Sequence, residues 1–320
     1  MNIWRSARAG ALATVVAAIA TFDVAPAFAA EPVYDPQVGS RWTVETEARS
    51  EEVRPDGTAT SLTRTRGELT IEQKTADGFR VSYVQRDATV EGNARSVPLS
   101  RAYMKVLENV VIRASTDPAG KPLRIDNLDE AKAAMRDAAS GLTEQFDRRP
   151  ATRALFDQLM SQLVEVGAEN AASVYVDALG VLAVAQNTGM KAGDFKQVTK
   201  PAENPLGGDA LKSTERFELV DADAARLKFV SVTSVDAADM NEFMQSFARG
   251  LLAASGDSVT PERVRQLVNS MVFSFDKRAE FEVEGGMTRK VAENSRTVFR
   301  GLEQNLIQSE MRTITVTPAP

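Results

Sequence analysis

Ser274-Phe275-Asp276-Lys277 has the Ser-x-x-Lys spacing at which a lysine can activate a serine for acyl transfer. That chemistry needs the lysine one helical turn from the serine. The surrounding alternation predicts a strand instead, in which residues i and i+3 point to opposite faces. The pair is therefore read as structural. Asp236, Asp239 and Glu242 offer oxygen ligands for a hard cation, but acidic residues in a first helical turn also complement the helix dipole. No loop has the alternating ligands and central glycine of an EF-hand. Asp221 and Asp223 read as turn residues. The chain has no histidine and no cysteine, which removes Ser-His and Cys-His nucleophiles and the usual zinc sites. Carboxylate-dependent hydrolysis remains open, yet no motif singles out two acids at a glycosidase spacing. No catalytic residue, metal or cofactor is expected.

The apolar helix faces carry more information. Met240, Phe243, Met244 and Phe247 fall on one helical stripe, and methionine beside phenylalanine adapts to varied apolar shapes. Leu155, Phe156, Leu159 and Met160 form a second stripe. With Trp42, these residues are the candidate lining of a cavity between sheet and helices. Ordinary core packing would give the same stripes.

The elements that would hold them alternate between sheet and helix. Trp42, Val44 and Thr46 begin a run of period two, and Arg54-Pro55-Asp56-Gly57 turns it into the next. Leu69 and Ile71, then Phe79, Val81 and Tyr83, continue a meander across Asp77-Gly78. Val110 to Ala114 and Leu123 to Ile125 pair across Asp117-Pro118-Ala119-Gly120. Helix is expected from an Asn127 cap to about Ser140 and again from Pro150. Val174 to Ala185, apolar almost all round, reads as a buried helix or a buried strand, and the Ala-rich flank from Ala168 favours helix. Strands return from Gly193 and include Glu215 to Val220 and Arg226 to Val235. After the Met240 stripe, Thr260-Pro261-Glu262 caps another helix. Strands Val272 to Glu284, Thr288 to Phe299 and Leu306 to Thr317 close the chain, with Gly285-Gly286 as a hairpin. Val38-Gly39-Ser40-Arg41-Trp42 and Ala192-Gly193-Asp194-Phe195 echo one another as starts of sheet-then-helix units, an echo that chance would also produce.

Arg5, Arg8, the apolar run Ala9 to Phe22 and Ala27-Phe28-Ala29 have the three parts of a secretory signal over residues 1–29, cut after Ala29. The apolar run of about 14 residues is short for a span of ~20. The expected mature protein is periplasmic, without a transmembrane segment, in lobes of residues 30–190 and 191–320 that stand apart or share one sheet. The formal net charge of the full 320-residue chain, −6, argues against nucleic acid as a partner.

Trp42, Arg66, the Asp117-to-Gly120 turn and Gly285-Gly286, within this order of elements, resemble the half-barrel envelope proteins of the lipoprotein-carrier (Lol-type) class. The resemblance covers most of the mature chain and implies a concave apolar sheet face covered by helices. The expectation is an α+β fold, a curved antiparallel sheet packed against amphipathic helices. Its function would be non-catalytic binding of an apolar ligand or of a lipidated or outer-membrane partner. A structural or interaction module with a filled core is the alternative.

Overall fold

The structure is a computed structural model that describes residues 33–143, 146, 150–202, 211–223, 225–256, 259–301 and 304–319. The leader expected over residues 1–29 lies outside the described residues. Alternating runs make β1 (Arg41–Arg54), β2 (Gly57–Thr75), β3 (Gly78–Gly92), β4 (Val111–Thr116) and β5 (Pro122–Ile125). They are followed by β6 (Phe195–Ala202), β7 (Leu211–Ala222) and β8 (Arg226–Val235), then β9 (Val272–Glu284), β10 (Met287–Gly301) and β11 (Gln304–Pro318). Helices α1 (Val97–Leu107), α2 (Leu128–Thr143), α3 (Pro150–Val164), α4 (Ala168–Tyr175) and α5 (Asp177–Ala183) belong to the first part of the chain. Helices α6 (Ala237–Ser255) and α7 (Pro261–Asn269) interrupt the second. Among the described residues the fold is therefore α+β, with eleven strands in one antiparallel sheet ordered β5-β4-β3-β2-β1-β11-β10-β9-β8-β7-β6.

That order is two five-stranded meanders joined by β11, and their hydrogen bonds repeat. Gly39 (φ +86°) and Gly193 (φ +88°) occupy a left-handed conformation that suits glycine. Gly39 N donates to Ile71 O and Ile71 N donates to Ser40 O; Gly193 N donates to Leu219 O and Leu219 N to Asp194 O. Each pattern sets two residues against one, a bulge that opens its meander. Register then shifts just after Ile71 in the β2–β3 pair and just after Leu219 in the β7–β8 pair. Ile71 and Leu219 thus hold equivalent places, and both are fully buried. The strands on either side of residue 190 meet in one sheet through the β1–β11 pairing.

The sheet is rolled. β4 and β10 are five positions apart, about 24 Å in a flat sheet at ~4.8 Å per strand. Yet the one side chain of Gln186 donates to Ala119 O in the β4–β5 turn (2.7 Å) and accepts from Thr288 N on β10 (3.1 Å). Only curvature brings those groups within a glutamine's reach.

The concave base holds the main core. Residues of α1 to α5 interlock there with Val44, Ile71, Val81, Phe229, Phe281 and Ile314, among others. Phe156, fully buried on α3, gains about 2–3 kcal/mol from leaving water. At the opposite end of the strands, α6 and α7 form a separate, smaller cluster with Phe299.

Three local features differ from the sequence expectation. α1 was not anticipated: Ser96 precedes it without a side-chain cap. The segment through Val174 to Ala185 breaks into two helices at Val176, whose φ of −133° is not helical. Asn127 does not spend its side chain on capping, because it accepts from Arg113 N and donates to Val111 O, fastening α2 to β4.

Candidate functional site

Side-chain alternation decides what the concave face presents. On β11 the inward residues are Leu306, Gln308, Glu310, Arg312, Ile314 and Val316, apolar at both ends and polar between. β10 runs from Phe299 through Thr297, Ser295 and Glu293 to Val291, and β9 from Phe273 through Lys277 to Phe281. The concave face of the second meander therefore has three zones: the base core, a polar belt, and an apolar patch beneath α6 and α7.

The belt is a chain of paired charges. Lys277 Nζ lies 3.2 Å from Glu293, Arg312 lies 3.6 Å from Glu293, and Arg312 reaches Asp177 on α5 at 2.7 Å. Further along, Lys200 pairs with Glu215, which also accepts a 2.6 Å hydrogen bond from Ser231. Arg312 and Glu293 side chains are only 17% and 13% exposed, so each charge depends on its partner rather than on water. Desolvation pushes the Asp177 carboxyl above its ordinary pKa, and the Arg312 cation only partly opposes it. Burial also works against ionised Glu215, but hydrogen bonds from Lys200 and Ser231 prevail and its pKa falls. Ser231 donates to the Glu215 carboxylate, whose lowered pKa makes it a weak base toward the serine proton.

In the first meander the place of Glu215 is taken by Gly67 and that of Ser231 by Tyr83. A Cβ on Gly67 would stand 2.4 Å from the Tyr83 hydroxyl, so the tyrosine lies across the glycine where the second meander has its carboxylate. One half of the concave face is aromatic at this level and the other is charged.

The nine candidate lining residues fall into two groups. Trp42, Phe156 and Met160 are buried in the base core, with Leu155 and Leu159 partly buried against it. Met244 is buried in the α6–α7 cluster, with Met240, Phe243 and Phe247 only partly buried. The polar belt lies between the two groups. A niche at the base, lined by Tyr34, Leu69, Val81, Gly120, Leu179, Leu182, Gln186 and Met287, has about 20 Å³, room for a water and not for a lipid. In the upper group, Phe243 meets Phe273 edge-on at 5.9 Å and Phe247 meets Phe299 at 6.0 Å.

Four of the remaining sequence candidates, Lys277, Asp236, Asp239 and Asp223, have structural partners. Ser274 and Lys277 occupy opposite faces of β9, and Lys277 belongs to the belt. Asp236 caps α6 by accepting from Ala238 N and Asp239 N, while Asp239 faces Lys212 at 3.9 Å. Asp223 accepts from Ala225 N and Arg226 N in the β7–β8 turn. Among the described residues, no group of three or more acids stands where it could hold a metal ion, and no helix is long and apolar enough to cross a membrane.

No family model and no curated protein sequence matches the chain. Among solved structures it is similar to lipovitellin, in a structure concerned with lipid–protein interactions, at 8% identity and TM-score 0.42, covering 89% of this chain and 26% of that one. The chain thus spans about a quarter of lipovitellin's length. It is also similar to the transport unit of the Escherichia coli autotransporter AIDA-I, at 9% identity and TM-score 0.26, covering 87% and 90% of the two chains. A third likeness is to an outer membrane channel of Pseudomonas putida F1, at 8% identity and TM-score 0.20, covering 92% and 100%. All three are too distant to carry function.

Proposed function

We propose that this chain is an exported, non-catalytic envelope protein of half-barrel form that binds an apolar chain between α6–α7 and the upper inner face of β9, β10 and β11. The observation that carries this reading is the contrast in packing between the two apolar zones. Among the described residues, buried side chains far outnumber partly buried ones in the base core, whereas in the α6–α7 cluster the order is reversed, with Met240, Phe243 and Phe247 on α6 and Phe273 and Leu306 on the sheet partly open to water. Among the described residues five of that cluster are buried, so lifting α6 exposes little surface that was dry. An acyl chain or the lipid of a lipidated partner would complete the burial that the protein leaves unfinished. The belt next to it would keep a polar head group wet.

Uptake of a fluorescent fatty acid, with native mass spectrometry of gently extracted protein, tests the proposal. Expected are saturable binding and copurifying lipid, with binding lost in Phe247→Glu and kept in Val220→Glu on the outer face. Absence of both signals in the folded protein would leave the second reading, an interaction module, which the buried base core favours.

A further inference from the structure

The repeat places β6 in the second meander where β1 stands in the first, and only one of these strands has two neighbours. β1 pairs with β2 on one side and β11 on the other, whereas β6 pairs with β7 alone among the described strands. The other end of the sheet is closed differently: β5 is short, begins at Pro122, and has α4 packed against it. The bond from Leu219 N to Asp194 O sets the phase of the β6–β7 ladder. Even-numbered residues of β6 bond to β7, and the backbone groups of Phe195, Gln197 and Thr199 face outward. In β1 the equivalent of Phe195 is Arg41, whose carbonyl accepts from Ala319 N at the end of β11. Phe195, at 53% exposure, is a large apolar side chain left on an unpaired edge.

We propose that this edge binds the same edge of a second copy of the chain, two β6 strands running antiparallel about a two-fold axis at Gln197. Side-chain pairing selects both occupant and register. With the axis at Gln197, Lys200, which within its own chain pairs with Glu215, faces Asp194 of the other copy, whose carboxylate also accepts from Lys191 N of its own chain; Lys196 faces Val198 and Phe195 faces Thr199. All three outward residues then bond, giving about six backbone hydrogen bonds. An axis at Lys196 sets the two Lys196 side chains opposite each other, and an axis at Val198 sets Lys196 opposite Lys200, both repulsive. An axis at Thr199 spends Gln197 on Pro201, which has no N–H to give. Pro201 and the Gly193 bulge meet in the favoured register, so the ladder stops at the same point on both sides. The second β6 thereby occupies the place that β11 takes beside β1, and the pair closes without leaving that edge free for a third copy.

Sedimentation of the full chain over a wide concentration range should show a reversible dimer. Gln197→Pro removes only an outward N–H, which an edge strand tolerates, and should raise the dimer dissociation constant roughly tenfold or more with an unchanged circular dichroism spectrum. Because the native chain has no cysteine, Gln197→Cys should oxidise to a covalent dimer while Val220→Cys does not. A strictly monomeric wild type, or a dimer indifferent to Gln197→Pro, overturns the proposal. Should Gln197→Pro fail to fold, the cysteine pair decides: equal crosslinking at positions 197 and 220, or none at 197, overturns it as well.

Discussion

The two meanders share a frame and differ in what they bury. The first brings Tyr83 across Gly67 and lies within the core of α1 to α5. The second, at the matching level, has Glu215 hydrogen-bonded to Ser231 and paired with Lys200, and its own helices sit at the far end of the strands. The frame is set by the paired bulges at Gly39 and Gly193 and the shared register shifts, features of the backbone. The inward residues are free to vary on that frame, and here they have made one half into a packed support and the other into a surface with polar and apolar zones.

The largest effect should separate the two apolar zones. Phe156→Ala is expected to cost about 3–5 kcal/mol, whereas Phe243→Ala, at a site already partly wet, should cost less than half as much. Chemical denaturation of both variants checks this, and equal losses would erase the distinction. Next is the belt. Arg312→Met leaves Asp177 without its closest cation, at a cost of about 3 kcal/mol, and the additional change Asp177→Asn should restore part of it in a double-mutant cycle.

The belt's two carboxylates should also respond oppositely to pH. Asp177 has a raised pKa, so the folded state holds its proton more tightly than the unfolded chain does. Its contribution to stability is greatest below the ordinary carboxylate range and is lost as pH climbs from that range to the raised value. Glu215 has a lowered pKa. Its stabilisation is fully present above the ordinary range and disappears as pH falls through the depressed value. Denaturation midpoints against pH should therefore show Asp177→Asn gaining on wild type as pH rises, and Glu215→Gln flattening the acid limb.

The smallest effect concerns caps. Thr260 accepts from Arg263 N at the start of α7, and Thr260→Ala should cost about 1 kcal/mol. In hydrogen exchange the amides of α6 and α7 should open before those of α3, and Thr260→Ala should speed the former without touching the latter. Exchange rising equally in both would mean that the two zones unfold as one.

Strands and hairpins were legible because turn chemistry is local: Pro55-Asp56, Asp77-Gly78 and Gly285-Gly286 mark reversals wherever they fall. The echo between Gly39 and Gly193 was visible, but its meaning lay in hydrogen bonds to Ile71 and Leu219, which no short window contains. α1 was legible and was missed: Ser96 with Pro98 in the first turn marks a helix start, and Leu99, Ala102 and Val106 recur at i, i+3 and i+7, although Ser96 makes no side-chain cap bond in the fold. The belt escaped for a different reason. Lys277, Glu293, Arg312 and Asp177 lie on four elements far apart in the chain, and each resembles a solvated charge among other charges. A parity reading of β11 from Leu306 to Val316 carried the one available hint, since its inward series turns polar midway. The Met and Phe stripe of α6 was correctly seen as apolar, but sequence cannot say how completely such a stripe is covered.

β1 finds its second neighbour only in β11, at the opposite terminus of the described chain. A growing polypeptide can zip up each meander by local hairpins, yet the seam between them stays undone until β11 arrives. Contacts of such long range slow folding, and they also make completion conditional on β11 being present. A product cut short after β10 would carry two raw edges in its middle, an invitation to aggregate. The fifteen residues of β11 thus act as a keystone, holding both arches.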